Sequence, residues 1–423
     1  MTKKLATAEQ HGLPSNFCII PWLHLNVNPY GDVLQCCISS SSGEVGHLRD
    51  STLSEIWNND KMKALRLQLL AGEKPASCHK CFEQEDNGMV SFRQGINQRY
   101  EPHLNSIVTS TNSDGSLDEM NLRYWDFRFS NLCNMKCRTC CHDFSSAWHA
   151  DMIKLDGPTS VPDNSVINVT DTSVDDLHRV LDEQIDCVEE IYFAGGEPLL
   201  MDEHYYILEK LIQRGRRDVR LRYNSNILKI RHKHWDNIEL WKNFDSVTVF
   251  ASLDGIGARA EYIRHGSVWQ TIDENIKRLI AAPSVTLYAA PTVQVLNLLH
   301  LPDLIDSLLA YGIPMLNIRV NNVLTTPDYF HINTFSNSYK ELARAQFDAH
   351  VQKQTDTEIA ADLEQQYASI LSYMGSYGKR KPSDVVESRQ EFNRMIAAID
   401  RIRSENFHET FPELADHWSE YAG

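Results

Sequence analysis

The chain has 423 residues, enough for a catalytic domain of about 200 residues plus one or two smaller modules. A formal charge of −16 repels phosphate backbones and argues against nucleic acid as a main partner, since the basic runs Arg214 to Arg222 and Lys379 to Lys381 are short. With 42% hydrophobic residues and no apolar run near the roughly 20 residues a bilayer requires, nothing reads as a membrane span.

Met1 to Phe17 carries two lysines but no apolar stretch behind them, so it does not read as a secretory signal, and the expected location is the cytoplasm. Cytosolic thiols are kept reduced, so ten cysteines point to metal or cluster ligation rather than disulfides. Five fall between Cys18 and Cys81, four between Cys133 and Cys141, and Cys187 stands apart. In the first group Cys18, Cys36, Cys78 and Cys81 offer four thiolates, which suit a tetrahedral zinc and a fully ligated four-iron cluster equally well. The glycine of NPYGDVLQC fits a hairpin turn leading through Val33 and Leu34 into Cys36. Cys37, Cys141 and Cys187 are spare and are expected to behave as small hydrophobes or bystanders.

Ile107 to Asp118, reading IVTSTNSDGSLD, lacks helical periodicity and is read as part of a linker. From Trp125 onward, β-branched and aromatic runs alternate with amphipathic segments, the mark of repeated βα units around a parallel sheet. Six strands are expected: Trp125 to Phe129, Val188 to Ala194, Val219 to Tyr223, Val247 to Leu253, Val285 to Val295 and Leu316 to Val320. Helical patterns such as Thr271 to Ala281 and Leu301 to Tyr311 lie between them. The fold class is therefore α/β, a partial (β/α)6 barrel resembling part of a TIM barrel. The polar insertion Asp156 to Ser173 is expected on the surface. Beyond Thr325, Tyr339 to Gln354 and Ser388 to Ser404 predict a helical extension, in which Arg401, Arg403 and Glu413 read as surface residues. The resulting division is a cysteine module over 1–106, a linker over 107–120, a barrel over 121–324 and the extension over 325–423.

The segment FSNLCNMKCRTCCHD follows the first barrel strand, so its cysteines sit at that strand's C-terminal end, where βα folds place their chemistry. Cys133, Cys137 and Cys140 can hold a four-iron cluster from one side and leave one iron open. Zinc on those three with Cys141 or His142 is the competing reading. The second strand runs into Gly195-Gly196-Glu197-Pro198, where glycines admit a ligand close to the backbone and a carboxylate can accept from an ammonium. The third ends in Asn224-Ser225-Asn226, suited to ribose hydroxyls or to an Asx turn, and the fourth in Ser252-Leu253-Asp254-Gly255. Arg264 is a charge-assisted donor available to a carboxylate, and His265 beside it reads as structural.

Cys-x3-Cys-x2-Cys after the first strand, followed in order by GGEP, NSN and SLDG, resembles the radical S-adenosylmethionine (radical SAM) superfamily over roughly Tyr124 to Val323. The resemblance implies that a [4Fe-4S] cluster on Cys133, Cys137 and Cys140 binds S-adenosylmethionine at its open iron. It then yields a 5′-deoxyadenosyl radical that abstracts a substrate hydrogen. Cofactor binding is implied for Gly195, Gly196, Glu197, Ser225, Asn226, Ser252, Asp254 and Arg264. Thr139 stands where the family often has an aromatic residue, which bears only on packing around adenine. The first cysteine group, with Gly-x4-Cys and GEVGHLRDSTLSEIWNNDKMKALR between its ligands, resembles the SPASM and twitch auxiliary-cluster modules. That likeness favours a probable second [4Fe-4S] cluster on Cys18, Cys36, Cys78 and Cys81, although such modules usually follow the barrel. It also implies a peptide or small-molecule substrate and an electron donor such as flavodoxin or ferredoxin. A non-catalytic zinc or iron-sulfur binding protein would explain the cysteines but not GGEP, NSN and SLDG.

Overall fold

The structure, a computed structural model, describes residues 8–39, 41–86, 90–320, 322–376 and 382–414; the run Lys379 to Lys381 lies outside them. Twelve strands occur in chain order. They are β1 (His24–Val27), β2 (Asp32–Leu34), β3 (Glu44–His47), β4 (Tyr124–Phe127), β5 (Lys136–Cys137) and β6 (Glu190–Phe193). The rest are β7 (Arg220–Ser225), β8 (Arg231–His232), β9 (Trp235–Asp236), β10 (Val247–Ala251), β11 (Arg264–His265) and β12 (Val285–Ala289). Eight of them form one sheet in the order β12-β10-β7-β6-β4-β1-β2-β3. Pairing is parallel from β12 through to β1 and antiparallel in β1-β2 and β2-β3.

Helices Leu177–Gln184, Asp202–Gln213, Asn237–Trp241, Trp269–Ile280 and Leu301–Ala310 follow β4, β6, β7, β10 and β12, giving the expected βα alternation. The period of the strands explains the layering: Trp125, Phe127, Ile191, Phe193, Leu221 and Val249 are buried apolar residues on alternate positions. Five expected barrel strands are present, but the sixth differs. A 3-10 turn over Met315–Asn317 leaves only the parallel bridges Ala289↔Ile318 and Val293↔Val323. Gln366 supplies the reason, since its side chain accepts from Val320 N at 2.9 Å and donates to Ile318 O at 3.1 Å, occupying edge groups a further strand would use.

The cysteine-rich module is not separated from the barrel. β1 lies beside β4 in register His24↔Tyr124 to Val27↔Phe127, so the module's first strand extends the barrel sheet. The turn at Asn28 to Gly31 closes β1 onto β2, with Gly31 N donating to Asn28 O at 3.0 Å and Gly31 at φ +95°, as the hairpin reading expects. The segment read as a linker is instead helical from Leu104–Ser110 and then closes a turn through the bridge Thr111↔Leu117. Gly115 is needed there because a Cβ would meet Lys63 O at 2.4 Å. Its Ser, Thr and Asn content signals local side-chain-to-backbone bonding, not loose chain.

Three long helices follow the barrel, Asn337–Lys353, Thr357–Ser376 and Pro382–Arg403, with the short Phe407–Thr410 after them. The middle one was not read from the sequence, although Leu363, Tyr367, Ile370 and Met374 fall on one helical stripe. All three parts share one apolar core, from Ala8 through Trp125 to Leu414. The insertion Asp156 to Ser173 is exposed around Asp163 to Val166, but Ile167 to Val169 is pinned to the loop after β4 through the bridge Ser130↔Asn168. No helix among the described residues is long and apolar enough to cross a membrane. The basic run Arg214 to Arg222 is largely neutralised: Arg214 pairs with Asp186, Arg216 with Asp218, Arg217 with Asp245, and Arg220 and Arg222 with Glu190.

Candidate functional site

The loop leaving β4 is held by its own polar side chains. Asn131 Nδ2 donates to His142 O at 2.9 Å, Ser145 Oγ to Met135 O at 2.6 Å, and Trp148 Nε1 to Cys137 O at 2.9 Å. β5 pairs with β11 in register Cys137↔Arg264, which brings the middle cysteine to the arginine noted in the sequence. Cys133, Cys137 and Cys140 border a cavity of about 310 Å3 at the C-terminal end of the parallel strands. Gly195, Gly196, Glu197, Asn226, Ser252 and Arg264 border the same cavity. Burial pushes all three thiols up, Cys133 to about 12, while at Cys137 the Arg264 guanidinium opposes the shift. A positive ligand such as iron reverses that preference by binding the thiolate.

The glycines make a contact that no other residue permits: a Cβ on Gly196 would sit 2.2 Å from Leu132 O, one residue before Cys133. Glu197 N donates to the same Leu132 O at 2.7 Å, so the glycine turn and the cysteine loop are seated directly on one another. The Glu197 carboxylate accepts from Asn226 N at 2.7 Å, Ser225 Oγ at 2.8 Å and Leu199 N at 3.3 Å, and burial pushes its pKa up to about 7. Ser225 and Asp254 stand one layer behind the cavity. Ser225 bonds Glu197, and Asp254 pairs with Arg264 Nη2 at 2.8 Å while accepting from Thr292 N at 2.8 Å. Asn226 makes both contacts considered for it: its Oδ1 accepts from Leu228 N at 3.0 Å in an Asx turn, and its Nδ2 donates to Asn134 Oδ1 at 2.9 Å.

A second cavity is bordered by Cys18, Cys36, Cys78 and Cys81. Gln35 Nε2 donates to Cys78 Sγ at 3.3 Å, and Arg93, paired with Glu85 at 2.5 Å, stands beside the thiols. Four thiols with a guanidinium and an amide donor suit an anionic cluster held away from water. Cys37, Cys141 and Cys187 border neither cavity; Cys187 Sγ bonds Gln184 O and Leu122 O, and Cys141 bonds Asp143. No three His, Cys, Asp or Glu side chains among the described residues close on a single ion position.

The profile of the radical SAM superfamily matches residues 127–308, and that of an iron-sulfur cluster-binding domain, SPASM, matches residues 18–82. The chain belongs to the radical SAM superfamily. Its radical SAM domain implies a [4Fe-4S] cluster with S-adenosylmethionine, and its SPASM domain implies auxiliary iron-sulfur. Membership supports an enzyme. No protein of curated function matches the sequence. Among solved structures, Streptococcus suis SuiB bound to precursor peptide SuiA is 12% identical, with a TM-score of 0.30, over 69% of this chain. A structure of SuiB without the peptide in its description is 13% identical, with a TM-score of 0.34, over 79% of this chain. The chain spans 60% of the length of the first and 69% of the second.

In this radical SAM chain the C-terminal extension reaches the cysteine loop, which the sequence did not reveal. Arg138, between Cys137 and Cys140, is fully buried; its Nη2 donates to Asp400 Oδ1 and Glu405 Oε2 at 2.5 Å each, and its guanidinium lies 3.6 Å from the Tyr262 ring centroid. Glu405 also pairs with His265 Nδ1 at 2.7 Å, which gives that histidine the structural role expected of it. Arg403, read as a surface residue, is 0% exposed, pairs with Asp151 at 2.9 Å and lies 4.4 Å from the Trp148 ring. Glu413, read likewise, bonds His300 and pairs with Arg259 at 3.2 Å, whereas Arg401 is exposed as expected. Charged residues on a helix carry no sequence signal for a partner about 250 residues away; only the fold supplies it.

Proposed function

We propose that the chain cleaves S-adenosylmethionine reductively and uses the resulting radical to remove a hydrogen from a peptide or protein side chain. The observation that carries this reading is the convergence of Cys133, Cys137 and Cys140 with the Gly195-Gly196-Glu197 turn, Ser252 and Arg264 around one cavity. When bound, the cofactors supply an electron from the cluster and a 5′-deoxyadenosyl radical from S-adenosylmethionine. Everything else is done by the chain's own residues. Cys133, Cys137 and Cys140 hold three irons and leave the fourth open toward the cavity. Glu197, with three of its roughly four acceptor sites used internally, keeps one for the methionyl ammonium. Ser225 aims that carboxylate, Asn226 and Ser252 face the ribose side, and Asp254 holds Arg264 against Cys137. Cys18, Cys36, Cys78 and Cys81 hold an auxiliary [4Fe-4S] cluster. A peptide target follows the commonest chemistry of SPASM-bearing relatives. A cytoplasmic setting, with a flavodoxin- or ferredoxin-type donor, fits ten free cysteines.

The test is anaerobic reconstitution with iron and sulfide counting, then reduction with dithionite and chromatography for 5′-deoxyadenosine. The expected result is about eight irons per chain and deoxyadenosine that disappears in Cys137→Ala. Bound zinc with no deoxyadenosine would overturn the reading in favour of a non-catalytic metal protein.

A further inference from the structure

A closed βα barrel ordinarily fills its interior with branched apolar side chains. Here the register puts a different set on the face opposite the apolar core. His24, Tyr124, Glu190 and Arg220 form one cross-strand row. Above it Asn26 stands beside Asp126, and Tyr192 beside Arg222. Arg128 and Asn224 continue the face upward, and with Tyr192 they border the cavity that holds the three-cysteine loop. The interior face is therefore a polar chamber continuous with the site, as unfilled barrel interiors that bind ligands are.

Its charges do not balance internally. The single Glu190 carboxylate, 1% exposed, takes Arg99 at 2.7 Å, Arg222 at 3.1 Å and Arg220 at 3.1 Å. Asp126 takes only the Nε of Arg128, at 3.3 Å. Four guanidinium groups thus share two carboxylates, in a chain whose total charge is −16. The Arg128 and Arg222 side chains are 29% and 26% exposed, so both remain reachable from solvent space. Arg222 also lies over the Phe250 ring at 5.2 Å and the Tyr192 ring at 5.9 Å, which fixes it on the chamber side. Three buried atoms on this face, His24 Nε2, Asp126 Oδ2 and Arg220 Nη2, have no hydrogen-bond partner, and His24 and Asp126 are 0% exposed. Unmet buried donors and acceptors beside surplus cations are what a binding chamber for a polar anion presents.

We propose that the substrate presents an anionic group, the carboxylate of an acidic peptide side chain, which enters the barrel interior and is held by Arg128 and Arg222. This rests on the reading under Proposed function and names the substrate class of the same site. It runs against the expectation from net charge, because a local field inside low-dielectric walls outweighs the distant surface.

The test uses reconstituted holoenzyme with S-adenosylmethionine, titrated calorimetrically with an N-acetylated tripeptide amide bearing a central glutamate, its glutamine counterpart, and inorganic phosphate. The glutamate peptide is expected to bind at least tenfold more tightly than the glutamine peptide, and Arg222→Gln is expected to erase that preference. Arg128→Gln, which leaves the Glu190 cluster intact, serves as the second variant and should do the same with the affinity for S-adenosylmethionine changed less than twofold. Tighter binding of phosphate than of the glutamate peptide would support the anion site and reassign its ligand to a phosphoryl group. Equal affinity for the two peptides without phosphate binding, or loss of S-adenosylmethionine rather than peptide binding in Arg128→Gln, would overturn the proposal. Failure of the wild-type protein to bind S-adenosylmethionine at all would instead sink the reading on which it rests.

Discussion

Glu197 is a carboxyl group whose burial raises its pKa to about 7, against hydrogen bonds from Asn226 N, Ser225 and Leu199 N that favour the ionised form. If it accepts from the methionyl ammonium, only its ionised form serves. Above pH 7 that form dominates, and below it the carboxyl is protonated. Affinity for S-adenosylmethionine is therefore expected to fall as pH drops from 8 to 6, and Glu197→Gln should remove most of that dependence. Equilibrium binding across that range checks both. Gly196 offers a second prediction at this scale. Gly196→Ala drives a Cβ into Leu132 O, a backbone atom that moves only with the cysteine loop. The expected cost is about 1–3 kcal/mol, with reduced iron retention at the three-cysteine site, measured by thermal unfolding and iron counting after reconstitution.

The helix Pro382–Arg403 and the residues just beyond it act on the cysteine loop through Asp400, Arg403 and Glu405. Removing one side of a buried ion pair costs about 3–5 kcal/mol because the partner charge is stranded. Arg138→Met strands Asp400 and Glu405 together, so it is expected to lower the unfolding midpoint and loosen the segment between Cys137 and Cys140. The milder Asp400→Asn keeps Glu405 on Arg138 but removes one negative charge beside the loop. Reduction adds negative charge to a cluster, so this variant should raise the midpoint potential of the radical-SAM cluster. Redox titration followed by electron paramagnetic resonance checks the sign. A fall in potential, or no change, would show that the helix braces the loop without tuning its charge.

At the scale of the molecule, the cysteine-rich module is part of the barrel sheet. β1 covers the edge of β4, and the hairpin β2-β3 extends the sheet beyond it. A chain beginning at residue 107 would lose those strands and expose the backbone edge of β4 over Tyr124–Phe127. Such an edge is a template for pairing with other chains, so this truncation is expected to aggregate on size-exclusion chromatography, although it retains all of the barrel's own βα units.

What the sequence determined by itself was local. Alternation of apolar residues marks β4, β6, β7, β10 and β12, because a strand buried on one face must repeat every second residue. Glycine and small polar residues at the strand ends mark the loops that converge on the cavity, since only they permit contacts such as Gly196 on Leu132. Cysteine spacing separates two thiol groups, and the structure gives each its own cavity. The rest depended on contacts between distant segments. The sixth strand reads well as apolar sequence but is reduced to bridges because Gln366 occupies its backbone groups. Arg403 reads as a surface residue and is buried because Asp151 and Trp148 receive it. Arg128, Arg220 and Arg222 read as an ordinary basic scatter, and only the register of β4, β6 and β7 gathers them on one interior face around Glu190. Periodicity fixes which face of an element is apolar, whereas the pairing of charges across the chain exists only once the chain is folded.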